Sequence, residues 1–267
     1  MKKGWAAGCA VAFGIGAASF FASSSVAADG ELRLGAGADY SSGTYGGSTD
    51  TTIFAVPVTV RYELERWTYK LTVPYLEVSG PADFVPGVGR VDNSGKPKRR
   101  SFAGTTTESG LGDSVASATY NAWYDRGLER GLDLTGRVKL PSGDAGKGLG
   151  TGSTDVGFQV DAYQTLERLT VFADLGYTFF GRSDYVELRN AANYGVGASR
   201  KLSDMDSVGA SLDGRERVSP GGSPQRELTL FWNRRADRLT RVQAYLLFGL
   251  ANGSPDIGVG VSGSRVF

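Results

Sequence analysis

Apolar and polar residues alternate along most of the chain after residue 28. From Leu169 to Phe179 every odd position is apolar, while Asp174 and Thr178 lie at even positions. From Phe54 to Leu64 the even positions are apolar instead, and they alternate with polar residues over the second half of this segment. A period of two is typical of a β-strand with one apolar face. No segment with convincing helical periodicity is left over, so the pattern predicts an all-β chain.

The alternation predicts about twelve strands, with boundaries accurate to a few residues. They cover residues 31–42, 52–65, 68–79, 111–124, 131–141, 154–165, 169–181, 190–201, 207–218, 225–234, 239–250 and 257–267. Most reach the roughly 9–11 residues that a tilted strand needs to cross a bilayer. The predicted fold is therefore a transmembrane antiparallel β-barrel, with a soluble β-sandwich as the alternative.

The connections between these strands alternate in length. The short ones are 65–67, 125–130, 166–168, the stretch around 203–204, and 235–238; the longer ones are 43–51, 80–110, 142–153, 182–189, 219–224 and 251–256. Bacterial outer-membrane barrels have short periplasmic turns and longer external loops. The even strand number places both ends of the barrel in the periplasm. Phe267 resembles the C-terminal signal that the barrel assembly machinery reads, although Arg265 departs from it.

The first 28 residues have the composition of a secretory signal peptide. A positive start, Met1-Lys2-Lys3, precedes an apolar stretch and the small residues Val26-Ala27-Ala28. A membrane anchor is the weaker alternative, because the stretch is short and interrupted by glycine. We therefore expect a signal peptide at 1–28, a barrel domain at 29–267, and a location in the outer membrane of a Gram-negative bacterium, in contact with its lipid and lipopolysaccharide.

Composition narrows the function further. The 29 basic and 28 acidic residues nearly balance, which argues against a nucleic-acid partner. The chain has no histidine and one cysteine, Cys9, which lies in the predicted signal peptide. The usual imidazole and thiolate metal ligands are therefore missing, and we expect no cofactor or metal. Gly112-Asp113-Ser114 is similar to an esterase nucleophile motif, but such a serine needs a histidine base, so we expect no enzyme.

Charged residues are frequent on the strand faces opposite the apolar ones. Charges on a lipid-facing surface cost several kcal/mol near the bilayer midplane, so these side chains should face the lumen or the rims. The candidates for lining the lumen are Arg33, Arg61, Glu63, Arg137, Lys139, Asp161, Asp174, Asp213, Arg215, Arg217 and Glu227. They either line a water-filled path and filter solutes by charge, or pair across the lumen and brace a narrow barrel.

The longest predicted loop, 80–110, carries the basic residues Lys96, Lys98, Arg99 and Arg100. Such a run is usually a solvated loop. The more specific alternatives are contact with lipopolysaccharide phosphates or inward folding to capture an anionic solute. The glycine-rich string at 146–152 lies between two strands, so it is expected to be a loop and not a phosphate cradle.

Three short motifs resemble a large family of bacterial outer-membrane proteins. They are Gly110-Leu-Gly-Asp-Ser114, Lys139-Leu-Pro-Ser-Gly-Asp144 and Leu149-Gly-Thr-Gly-Ser-Thr-Asp-Val-Gly-Phe158. The family is the "putative MetA-pathway of phenol degradation" family, whose members are often called transporters. The resemblance implies an outer-membrane barrel linked to uptake, sometimes of aromatic compounds. It supplies no catalytic residues.

Three functions remain in order of preference. The first is a channel for passive passage of small solutes, including aromatic or hydrophobic compounds. The second is a structural or surface-recognition barrel with a plugged lumen. The third, a membrane esterase, is disfavoured by the missing histidine.

Overall fold

In the computed structural model of the protein, residues 30–92, 94–97 and 104–267 are described and contain fifteen β-strands. These are β1 (Glu31–Gly43), β2 (Thr51–Leu64), β3 (Trp67–Pro81), β4 (Phe84–Val85), β5 (Gly89–Arg90), β6 (Thr105–Leu111), β7 (Ser114–Asp125), β8 (Arg130–Leu140), β9 (Asp155–Leu166), β10 (Leu169–Phe179), β11 (Ala191–Lys201), β12 (Asp206–Arg215), β13 (Gln225–Arg235), β14 (Thr240–Gly249) and β15 (Ile257–Val266). The predicted signal peptide, 1–28, lies outside the described residues. No helix in the described stretches is long and apolar enough to cross a membrane.

The strands form a closed antiparallel barrel. Each barrel strand pairs with its sequence neighbours, and β1 pairs with β15 from Arg33–Val266 to Ser42–Ile257. The strands β6 and β7 both pair with β3 and together make one wall strand, so the barrel has twelve. The predicted class and strand number are confirmed.

The apolar positions of the alternation lie on the outer face. Leu175, Phe158 and Val196 are 64%, 58% and 55% exposed there, and their sequence neighbours are less exposed. A barrel in lipid places apolar side chains outside and polar ones inside, which is the reverse of a soluble protein. The residues that define each strand are therefore the ones that contact the membrane.

One wall strand is interrupted between β6 and β7. Pro74 lies on β3 at this position and has no N–H to donate, and the Gly112 N–H donates to its carbonyl oxygen at 2.9 Å. The ladder between β7 and β8 ends at the pair Ser114–Leu140. Past this pair, β6 is paired with β3 alone among the described strands. The loop after β8 covers this part of the wall, since Ser142 Oγ donates to the Gly112 carbonyl oxygen at 3.0 Å.

Two strand limits differ from the prediction by more than two residues. The fourth wall strand begins at Thr105 instead of residue 111, because threonines 105–107 continue the ladder with β3. The ninth predicted strand, 207–218, is β12 and ends at Arg215. We call the end of the barrel with the two- to four-residue turns the short-turn end and the other the long-loop end; in outer-membrane barrels these face the periplasm and the exterior.

Candidate functional site in the barrel lumen

Basic side chains form a continuous row on the inner face, here called the basic row. Arg33 on β1 lies opposite Arg61 on β2, and Arg61 lies opposite Lys70 on β3. The row continues through Ser117 on β7 to Arg137 on β8. Residues directly opposite in an antiparallel pair point to the same face. Because barrel strands tilt against the axis, the row climbs from the short-turn end toward the long-loop end.

Five carboxylates form a second ascending row, the acidic row. It runs through Asp133 on β8, Asp161 on β9, Asp174 on β10, Gly195 on β11, Asp213 on β12 and Glu227 on β13. Gly195 is required in this row, because a Cβ atom there would collide with carboxylate oxygens of both Asp174 and Asp213. The two aspartates therefore lean toward each other over the glycine.

Neutral groups hold the acidic row in place. The Asn121 amide donates to Asp133 Oδ1 at 2.6 Å, and the Gln159 amide donates to Asp161 Oδ1 at 2.6 Å. The Ser211 hydroxyl donates to Asp213 Oδ2 at 2.7 Å. None of the ion pairs found among the described residues includes a member of this row. The charge of the row is therefore not cancelled by direct ion pairs.

Two arginines at the short-turn end of the basic row pair with carboxylates on their own strands. Arg33 pairs with Glu31 at 2.7 Å, and Arg61 pairs with Glu63 at 2.8 Å. Each pair joins residues two apart on one strand, so neither is a brace across the lumen. The sequence predicts that the charged inner face either lines a water-filled path or braces the barrel by pairs across the lumen. These two pairs lie along one wall, so they agree better with a charged lining than with bracing.

The long-loop end of the lumen contains an apolar group that we call the apolar chamber. Its members are all nine-tenths buried or more: Tyr45, Ile53, Ala55, Leu76, Val78, Phe84 and Leu149. The wall strands β2 and β3 supply four of them, the short strand β4 supplies Phe84, and loops supply Tyr45 and Leu149. The rings of Tyr45 and Phe84 are 4.6 Å apart between centroids. Burial raises the pKa of the Tyr45 phenol, which therefore stays a neutral hydroxyl.

The β4–β5 hairpin contacts the inward-facing Arg215 at this end. Arg215, only 3% exposed, donates from Nη1 to the Gly87 carbonyl oxygen at 2.6 Å and from Nη2 to the Val88 carbonyl oxygen at 3.0 Å. Gly87 and Gly89 have φ angles of 77° and 97°, which allow the tight turn between the two short strands. A second apolar cluster holds the hairpin from the other side, with Val85, Val88 and Val91 packed on Val186, Ala191 and Val218.

A small cavity lies beside the apolar chamber. Its volume is about 20 Å³, and it is lined by Asp39, Ser41, Tyr45, Glu227 and Tyr245 together with apolar side chains. A cavity of this size holds about one water molecule. An aromatic solute does not fit here, so passage at this level requires the loops to move.

The three sequence motifs meet at Lys139. Its Nζ atom lies 2.8 Å from Asp113 Oδ2 and 2.8 Å from Asp155 Oδ2, and it also donates to the Thr151 hydroxyl. Asp113 Oδ1 accepts from the Gly143 N–H at 3.0 Å. Lys139 and the two aspartates thus tie the loop 141–154 to the interrupted wall strand.

The structure places ten of the eleven lumen candidates on the inner face of a strand. Arg33, Arg61 and Arg137 lie in the basic row; Asp161, Asp174, Asp213 and Glu227 lie in the acidic row; Glu63, Lys139 and Arg215 pair with the groups described above. The prediction that Arg217 shares a strand face with Asp213 and Arg215 is wrong. The strand ends at Arg215, and Arg217 is exposed in the next loop.

The basic loop is described only in part. Lys96 donates from Nζ to the Ser183 carbonyl oxygen at 3.0 Å, so it fastens the loop to the long loop between β10 and β11. Lys98, Arg99 and Arg100 lie outside the described residues. The sequence reasoning missed the hairpin, whose signal was the apolar run Phe84, Val85, Val88 and Val91 within a predicted polar loop.

Comparison with solved structures supports the fold. The crystal structure of the COG4313 outer membrane channel from Pseudomonas putida F1 is similar, with a TM-score of 0.71, 14% identity, and coverage of 89% of this chain and 96% of that chain. The beta domain of the Bordetella autotransporter BrkA gives a TM-score of 0.53 at 10% identity, covering 89% and 99% of the two chains. The KdgM porin in complex with disordered oligogalacturonate gives 0.51 at 6% identity, covering 86% and 99%. The described fold is thus that of outer-membrane β-barrels.

Sequence comparison gives the family. No curated protein matches the chain. The family model described as "Putative MetA-pathway of phenol degradation" matches residues 22–205, which is more than half of the chain. All three motifs and the Lys139 cluster lie within this match. The chain therefore belongs to the "Putative MetA-pathway of phenol degradation" family of outer-membrane barrels.

Proposed function

We propose that this protein is an outer-membrane channel for small hydrophobic or aromatic solutes. The observation that carries the proposal is the apolar chamber on the inner face of the long-loop end. Ile53, Ala55, Leu76 and Val78 point inward, on the same strand faces that carry Arg61 and Lys70 nearer the short-turn end. Once the loops move and expose it, such an apolar surface attracts apolar solutes, because it removes their surface from water. The family assignment and the similar COG4313 channel agree with this function.

The proposed channel is closed in the arrangement described here. The hairpin is held by Arg215 and contributes Phe84 to the apolar chamber, and the cavity beside the chamber holds only one water-sized ligand. Release of the hairpin from Arg215 would open the way from the apolar chamber to the charged lumen. Passage is driven by the solute gradient, and we assign it no cofactor.

Solute uptake by proteoliposomes tests the proposal. Refolded protein should admit small aromatic compounds such as phenol or benzoate faster than sugars of similar mass, relative to protein-free liposomes. A panel that includes aromatic acids, short alkanols, sugars and phosphate gives the preference. If no solute enters faster than in protein-free liposomes, the channel proposal is wrong.

A matched pair of variants links uptake to the apolar chamber. Val78→Thr replaces a methyl group by a hydroxyl in the apolar chamber and should lower aromatic uptake by about threefold, since an apolar solute interacts less well with a hydroxyl. Val196→Thr makes the same change on the outer face, where Val196 is 55% exposed, and should leave uptake unchanged. Equal aromatic uptake by the two variants would show that the apolar chamber does not take part in passage.

The second candidate function is a structural or surface-recognition barrel. The Arg215 contacts to the hairpin favour it, because they hold the lumen shut with two hydrogen bonds from a buried cation. Uptake that stays at the protein-free level even after Arg215→Gln would support this function over the channel.

We assign no enzymatic role to Ser114. Its hydroxyl lies 2.8 Å from the Ser142 hydroxyl, and the Ser114 N–H donates to the same oxygen at 2.8 Å. These contacts fasten the loop after β8 to the wall. The chain has no histidine to serve as base. Ester hydrolysis that is lost in Ser114→Ala would contradict this assignment.

A further inference from the structure

Three arginines meet on the inner face near the short-turn end, and we call them the arginine cluster. Arg33 on β1 is directly opposite Arg61 on β2, which puts their Cβ atoms about 5 Å apart on one face. Arg241 on β14 lies opposite Ser264 on β15, and Ser264 lies opposite Gly35 on β1. Neither of these two intervening residues has a long side chain, so Arg241 extends across β15. Its charge interacts with those of Arg33 and Arg61.

Arg33 has a nitrogen atom without a partner in this cluster. The residue is 7% exposed, and its Nη2 donates to Glu31 Oε1 at 2.7 Å. Its Nη1 atom is buried and donates no hydrogen bond to any residue that the structure describes. A buried N–H group of a charged side chain is costly without an acceptor. Arg33 therefore offers a donor to an anionic or hydrogen-accepting ligand.

The charges around the arginine cluster favour a ligand with a single negative charge. Glu31 and Glu63 pair with the arginines on their own strands, and Asp133 on β8 also interacts electrostatically with Arg61. Lys70, directly opposite Arg61, is the fourth basic side chain of the group. Four basic side chains thus accompany three acidic ones, which leaves one net positive charge. A monoanion balances this charge, whereas a dianion would be repelled by the neighbouring carboxylates.

The wall between the arginine cluster and the apolar chamber has only small, uncharged side chains on the four strands that join them. Two register rows separate Arg61 from Ala55 of the apolar chamber. The first row contains Gly35, Thr59, Thr72 and Ser264, and the second contains Gly37, Pro57, Pro74 and Ser262. A solute that moves down this wall from the apolar chamber therefore meets the arginine cluster as its first group of charges.

We propose that the arginine cluster binds the carboxylate of a small aromatic acid. A planar guanidinium presents paired N–H donors that match the two oxygens of a carboxylate. The small side chains of the adjoining row leave space for the ring on the side of the apolar chamber. The role of this site in passage rests on the proposed function, and it narrows the solute class to aromatic monocarboxylates.

Equilibrium dialysis of radiolabelled benzoate tests the site without relying on transport. Refolded protein in detergent should bind benzoate in excess of protein-free micelles. Benzyl alcohol, which has the same ring and no charge, should bind more weakly by about fivefold or more, because it loses the charge-assisted hydrogen bonds. Arg33→Gln and Arg61→Gln should each lower benzoate binding by a similar factor. Arg200→Gln makes the same change on the exposed outer face near the short-turn end and should leave binding unchanged.

Competition separates a carboxylate site from a general anion patch. Unlabelled benzoate should displace the label, whereas chloride and inorganic phosphate at the same concentration should displace little of it. Equal displacement by phosphate would overturn the assignment to aromatic acids.

Two further results would overturn the proposal: wild-type binding no greater than that of protein-free micelles, or equal binding by wild type and by both arginine variants. Heat-dependent mobility on a denaturing gel shows that each variant is folded. Benzoate binding without uptake of any aromatic solute would contradict the channel and leave the site standing. Uptake of uncharged aromatic solutes without benzoate binding would contradict the site and leave the channel standing.

Discussion

At the scale of single residues, Lys139 explains why the three family motifs occur together. Strands and the loops between them are all that the sequence predicts for these motifs. The structure brings Asp113 and Asp155 to one lysine on the wall strand β8. Period-two alternation predicts that Lys139 faces inward. It does not predict its partners, which lie 26 residues before and 16 residues after it. Their approach to Lys139 depends on the path of the loops.

Lys139→Met should destabilise the barrel by about 3 kcal/mol, because it leaves two poorly exposed carboxylates without their cation. Asp155 is 3% exposed as a side chain and Asp113 is 9% exposed. Urea unfolding of the refolded protein, followed by tryptophan fluorescence, measures the change. Lys147→Met is the control, since Lys147 is exposed in the same loop and should shift stability by less than about 0.5 kcal/mol. A Lys139→Met protein as stable as wild type would contradict the role of the cluster.

At the scale of elements, the strands were predictable and the long loops were not. Each wall strand shows its alternation locally, because lipid and lumen impose opposite polarity on neighbouring residues. The β4–β5 hairpin has only two residues in each strand, and its position depends on contacts with Arg215 and Val218, which are more than 120 residues away in the chain. The strand β12 also ends at Arg215, the residue that binds the hairpin.

A disulfide between Asp92→Cys and Gly221→Cys should lock the hairpin segment and reduce solute uptake by about tenfold. A Cβ atom at Gly221 would lie 3.5 Å from the Asp92 Cβ atom, which suits a disulfide. The sequence has no cysteine after Cys9, so no other disulfide competes in the barrel. Uptake should return when a reductant is added, and each single-cysteine variant should behave as wild type. Equal uptake by the oxidised and reduced forms would show that this segment need not move.

At the scale of the whole molecule, the two charged rows occupy opposite arcs of the barrel. The basic row spans β1 to β8 and the acidic row spans β8 to β13. The sequence identified most of these residues as inward-facing, but it could not show that they fall into rows, because a row depends on the register between strands. Once the register is known, acidic and basic side chains are seen to line different parts of the lumen wall.

Neutralising one row at a time should therefore shift ion selectivity in opposite directions. Asp161→Asn with Asp174→Asn and Asp213→Asn leaves the basic row dominant and should move the reversal potential in a KCl gradient toward that of chloride. Arg33→Gln with Arg61→Gln and Lys70→Gln should move it toward that of potassium, since the acidic row then dominates. Glu77→Gln and Arg200→Gln, both exposed, serve as controls that should leave the potential unchanged. A shift of the same sign in both triple variants would contradict two separate charged paths. No shift in either would mean that ions avoid both rows.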